Sequence, residues 1–388
     1  MQPDMWRGVR FLCDEIVAWQ ATGGGLSLET CPYHRDTPFG FPSGFGQDIP
    51  WLARSLYAAS DLLHEPGYKE AADRYAIYFL ANTYDNAPAY QIGGALEPCL
   101  KLYRDHNLWD QSLINLYCGF SKAKALYRWL LAYRTDNGNY FNCGYGFQDD
   151  KGVLHADEDV GFSCDLSDVG RGLIGYYRLF KDEEALSHAM GLARYFVTEA
   201  ESDTYQGIWS SKIGTWLFGP RHTAGFENFD NVYADEGVSG WSAYYGSLFL
   251  ARLYDCIKDE AFKATIRDRC VSSLRWWFDA CQFEDGAMGM SGRDDKWLGM
   301  TATAIMQYGE LGRRLMIGPQ IHHQYYPKAL KALAWLRAMR QPERFPSDGY
   351  IPVTGKSKPW PGWNTTWMMA LTAEGLMAGP TLEAMGTP

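Results

Sequence analysis

The chain has 388 residues, 46% hydrophobic and 21% charged, with a formal net charge of −10. That is room for one large domain or two ordinary ones, in a globular composition with no sign of disorder. The acidic balance, with no run of adjacent Lys or Arg longer than a pair, counts against a nucleic-acid partner, because neutralising phosphates needs a basic face.

The chain opens on "MQPDMWRGVRFLCDEIVAW". No basic region precedes an apolar core there, so a secretory signal is not expected; an amphipathic helix over residues 4–21 is. Next, "WLARSLYAASDLL", "HEPGYKEA" and "ADRYAIYFLANT" read as helix, break and helix, with Pro66 and Gly67 supplying the break. The same unit recurs as "GLIGYYRLF", "KDEEA" and "LSHAMGLARYFVTEA", and again as "WSAYYGSLFLARLYDCIKDEA" running into "FKATIRDRCVSSLRWWFDAC". Acids just after each break suit a helix N-terminus, where N–H groups lack partners.

Followed along the chain, the pattern predicts first helices over residues 46–64, 90–104, 161–180, 237–257, 296–315 and 363–378. Second helices are predicted over residues 68–83, 109–134, 182–199, 259–281 and 327–340. The sixth partner is missing downstream, and the helix over residues 4–21 is left to fill its place. Residues 140–147 and 350–353 read as small hairpins or turns. The expected fold class is all-α: an α/α toroid (barrel) of six helical hairpins, one domain over residues 1–388, without a separate β-domain.

Links inside the hairpins are short. Links between them (residues 22–45, 135–160, 200–236, 282–295 and 341–362) are long and rich in Gly, aromatic and charged residues. In a ring of hairpins these long links share one end with the starts of the first helices, which marks that end as the site. Residues 316–326 are the exception, a longer loop expected at the opposite end.

The nine cysteines are scattered and form no CxxC, as suits buried thiols in a reducing compartment. No run of about eighteen apolar residues exists, so no membrane span is expected, and the cytoplasm is the expected location. Aromatic residues make up 15% of the chain, which fits either a large core or walls that stack on sugar rings.

Several stretches resemble the unsaturated glucuronyl and rhamnogalacturonyl hydrolases among the six-hairpin glycosidase-like enzymes. "GWSAYYGSLFLARLYDCIKDEA" is similar to that family's Gly-Gln-Ala-Trp-Ala-x-x-Gly helix, at Gly240, Trp241 and Gly246. "TATAIMQYGELGRR" is similar to its Ser-Ala-x-Ala-Ile helix, and "DVGF" to its Asp-x-Gly-Phe helix start. The resemblance implies an α/α toroid acting on unsaturated uronides with two aspartates, at the starts of the second and third inner helices. The third has Asp159; the second has no Asp at its start, and Glu97 is the only nearby acid.

Asp159, beside Asp157 and Glu158, is the first catalytic candidate, since a carboxyl in a partly desolvated cleft can serve as general acid or base. Asp235 and Glu236 mirror that group before the fourth inner helix, and two acids facing across a cleft are what an inverting glycosidase uses. Helix capping is the plainer role for all of them. Asp165 and Asp168 share a helix face, and Arg171 three residues on is the expected ion partner of Asp168. His222, with Arg221 beside it, lies in the long link before the fourth inner helix and suits a sugar carboxylate or a catalytic role; His34 with Arg35 has the same standing. Asp48 starts the first inner helix. Trp241, Tyr244, Arg293, Trp297 and Trp363 complete the expected substrate contacts, with core packing as the alternative for the aromatics. No metal motif or cofactor loop is present in the sequence, and His322 and His323 are adjacent on one segment.

The expected function is that of a glycoside hydrolase on oligosaccharides, without cofactor, nucleic-acid partner or membrane, with homo-oligomer formation left open. A lyase or a sugar epimerase on the same toroid, and a non-catalytic sugar-binding protein, are the alternatives.

Overall fold

The computed structural model describes residues 6–27, 48–83, 87, 89, 91–96, 120–135, 138–140, 146–148, 154–156, 163–200, 207–218, 238–339, 350–353 and 366–386. Among them the inner helices are α2 (Asp48–Leu63), a helical stretch over residues 91–96, α5 (Ser163–Phe180), α7 (Gly240–Tyr254), α9 (Leu298–Arg313) and α11 (Thr366–Met377). The outer helices are α1 (Arg7–Ala18), α3 (Pro66–Asn82), α4 (Phe120–Leu131), α6 (Glu183–Val197), α8 (Glu260–Ala280) and α10 (Pro319–Met339), and a short α12 (Gly379–Ala384) ends the described chain.

The repeated "KDE" is a capping device. The Asp182 carboxylate accepts the N–H groups of Glu184 and Ala185 at 2.9 and 3.2 Å, starting α6. Asp259 accepts that of Phe262 at 3.0 Å, starting α8. Both carboxylates satisfy donors that the first helical turn leaves open. At three hairpin turns the chain reverses through a non-glycine residue with positive φ: His64 (56°), Lys181 (55°) and Leu315 (54°).

The fifth outer helix starts earlier than its sequence suggests. α10 begins at Pro319 and carries Pro327 in its interior, so residues 319–326 are helix rather than the expected long loop. Pro319 suits a first helical turn, where its missing N–H costs nothing. Pro327 is a plausible start for the same reason, which is why the sequence misleads here.

The inner elements close a ring. A Cβ on Gly94 would lie 3.8 Å from Pro50 of α2, and one on Gly172 of α5 would lie 2.4 Å from the Gly93 carbonyl. Ser163 Oγ bonds Ser242 Oγ of α7 at 2.9 Å, and Ser167 Oγ donates to the Tyr245 carbonyl at 2.6 Å. Gln307 Nε2 of α9 donates to the Ala243 carbonyl and to Ser247 Oγ. Gly375 of α11 packs against Ala302 of α9, and Ser55 Oγ of α2 donates to the Ala370 carbonyl of α11 at 2.9 Å. Apart from Gly93–Gly172, each contact joins residues within about two turns of the same depth from their helix starts, and Ser163 and Ser167 meet Ser242 and Tyr245 in chain order, so the inner helices run parallel.

Outer helices α3, α6, α8 and α10 pack on the inner helix that precedes each, and α1 packs on α11. α7 is buried along nearly its whole length, whereas α8 buries Ile266, Cys270, Ser273, Leu274, Trp277 and Phe278 at helical spacing. An inner helix covered on all sides is apolar all round; an outer one needs a single apolar stripe. Three two-stranded antiparallel ladders decorate the loops: β1 (Gly146–Gln148) with β2 (Leu154–Ala156), β3 (Trp209–Ser210) with β4 (Thr215–Trp216), and β5 (Asp295–Trp297) with β6 (Tyr350–Pro352).

Candidate active site

The parallel inner helices begin at one end, and that end is the mouth. A polar and aromatic layer closes the ring one to three turns below, at about 1.5 Å of rise per residue. Its centre is Trp51, in the first turn of α2. The guanidinium carbons of Arg54 and Arg171 lie 4.6 and 5.1 Å from the Trp51 ring centroid. Tyr245 meets the same ring edge-on at 5.5 Å, and Tyr244 lies at 6.4 Å. Both contact types suit an electron-rich indole face.

The layer is charge-balanced. Arg54 Nη2 pairs with Glu374 Oε2 of α11 at 2.8 Å, and Ser55 Oγ donates to the other oxygen at 3.1 Å. Arg171 pairs with Asp168 one helical turn before it, as the spacing predicts. Burying four charges is tolerable because each faces a partner of opposite sign. Trp51, Asp168, Arg171, Tyr245 and Glu374 are all buried, yet the Arg54 side chain keeps 22% exposure. Water therefore reaches the interior of the ring to this depth. Cys164, half-buried near the start of α5, bonds Asp165 at 3.6 Å.

A second group lies higher, where the segment ahead of α9 bridges the tops of its neighbours. Gly240 N–H of α7 donates to the Met290 carbonyl at 2.6 Å, and β6 on the link to α11 pairs with β5. Along β5 the side chains alternate. Lys296 points outward to Asp285, at 2.5 Å, while Asp295 and Trp297 share the opposite, buried face. The Asp295 side chain is 2% exposed as a residue, its Oδ1 has no hydrogen-bond partner, and burial pushes its pKa up. A backbone hydrogen bond from Val353 works the other way, and Asp294 adds to the rise.

The expected residues fare as follows. Asp159, Asp235, Glu236, Arg221, His222, His34 and Trp363 lie outside the described residues, as do Asp157, Glu158 and Glu97. Asp48 is the first residue of α2. Trp241 is buried beside Tyr245, with ring centroids 6.1 Å apart. Tyr244 is fully enclosed, its hydroxyl toward Met306 Sδ at 4.0 Å, and burial drives its pKa well up. Trp297 is buried and caps α9, its N–H donating to the Met288 carbonyl. Tyr244 thus packs between inner helices, against Trp51 of α2 and Met306 of α9. Arg293 is exposed and donates to the Asp279 carbonyl at 2.8 Å, at the end of an outer helix.

The residues that organise the floor, Trp51, Arg54 and Glu374, are ones the sequence reading did not single out. One signal was available: Glu374 is the lone acid in the apolar helix "TWMMALTAEGLM". Among the described residues, no three His, Cys, Asp or Glu side chains are placed to hold a metal ion.

No family model matches the chain, and no curated protein matches it. Solved structures do match over almost the whole length. A possible GH105 family member from Klebsiella pneumoniae is 13% identical, with 97% of this chain and 93% of that one covered and a TM-score of 0.63. The GH76A α-1,6-mannanase from Salegentibacter sp. is 11% identical, with 98% and 100% covered and a TM-score of 0.63. Cellobiose 2-epimerase from Bacillus thermoamylovorans is 10% identical, with 95% and 98% covered and a TM-score of 0.61. The fold of this chain is thus the α/α toroid that these carbohydrate enzymes share.

Proposed function

We propose that this protein is a glycoside hydrolase acting on oligosaccharides by carboxylate chemistry, with unsaturated uronides as the favoured substrate class. The observation that carries the reading is the polarity of the ring. Every described inner helix starts at one mouth, water enters as far as Arg54, and acid-bearing segments lead directly into α5 and α7. Asp159 and Asp235, on those segments, are the proposed carboxylates, with His222 and Arg221 as partners for a sugar carboxylate. Support comes from the motif resemblance at Gly240, Trp241 and Gly246, and from the fold shared with the possible GH105 member. It also comes from the mannanase, of which an inactive variant with two neighbouring aspartates changed to asparagine is in complex with α-1,6-mannotriose. The free thiols Cys13, Cys164, Cys256, Cys270 and Cys281 support a reducing compartment, and we place the protein in the cytoplasm on that ground.

The deciding experiment is a product assay on neutral, uronic and unsaturated oligosaccharides, following reducing ends and the absorbance of the uronide double bond. Loss of absorbance with new reducing ends is the expected result. New reducing ends without absorbance change mean a hydrolase of saturated sugars. A gain in absorbance means a lyase, and isomerised sugar without new ends means an epimerase; either one overturns the hydrolase reading.

A further inference from the structure

We draw no further inference here: the strongest candidate, the side-chain cluster of Trp51, Arg54, Arg171 and Glu374 that closes the floor of the ring, belongs to the site already described.

Discussion

The Arg54 guanidinium, on the first inner helix, sits 2.8 Å from the Glu374 carboxylate on the last. This contact bridges the two inner helices farthest apart in sequence, so it closes the ring as a side-chain bond beside the Ser55–Ala370 link. Removing one partner strands the other in a layer that also holds Trp51. Glu374→Ala is expected to cost about 2–3 kcal/mol in urea unfolding. Arg54→Met combined with Glu374→Leu should recover most of it, because an apolar pair leaves no stranded charge. A single-variant loss below about 0.5 kcal/mol would mean that solvent at Arg54 already carries the charge.

Gly172 sets how closely the second and third inner elements approach. A Cβ there would stand 2.4 Å from the Gly93 carbonyl, and backbone is what it would strike. Gly172→Ala should destabilise by about 1–3 kcal/mol through overpacking. Gly309 in α9 is the control, since a Cβ there meets nothing within 4 Å. Gly309→Ala should stabilise by up to about 1 kcal/mol through helix propensity alone. If the two substitutions behave alike in thermal melts, the close approach at Gly93 is not a constraint.

Leu315 carries two costs at the turn after α9. It is 87% exposed, and its φ of 54° places a branched side chain in the left-handed region. The backbone there is a tight helix end. Met316 N–H bonds the Leu311 carbonyl and Leu315 N–H bonds that of Gly312, the pairing for which glycine is the usual residue. Leu315→Gly is expected to raise stability by about 0.5–1 kcal/mol and Leu315→Asn by less, with activity unchanged because the turn lies opposite the mouth. A lower melting temperature for Leu315→Gly would show that the leucine is held by contacts outside the turn.

The hairpins were legible because their signals are local. Asp182 and Asp259 cap helices two or three residues downstream, and Asp168 meets Arg171 within one turn, so spacing alone finds both. The start of α10 was misplaced because two prolines, Pro319 and Pro327, each suit a first turn, and packing against α9 decides between them. The floor was illegible for a different reason. Arg54 and Glu374 meet only once the ring closes, and no periodicity encodes that. The aromatics of α7 could not be sorted from the sequence, because a helix buried all round has no polar face to separate the centre of the ring from the flanks between helices. Trp241 and Tyr244 share the pattern of Tyr245, yet only Tyr245 packs edge-on over Trp51 at the centre. Asp295 stood in plain view in "RDDKW", but an orphaned oxygen is a property of its neighbours.

That orphan also makes Asp295 a liability that pH can read. Its folded-state pKa is raised, first by burial, with Asp294 adding to the rise and the Val353 N–H opposing it. In the unfolded chain it titrates near the ordinary value of about 3.9. Between the two values the folded state holds a proton that the unfolded state has released, so stability falls as pH rises through this window and levels off above the folded value. Asp295→Asn cannot ionise. The variant should lack that segment of the pH–stability curve, gaining on the wild type as pH rises through the window and keeping a constant advantage above it. Chemical denaturation of both proteins from pH 4 to pH 8 measures the difference directly. A difference that stays flat across the range would mean that Asp295 ionises as freely in the folded protein as in the unfolded one.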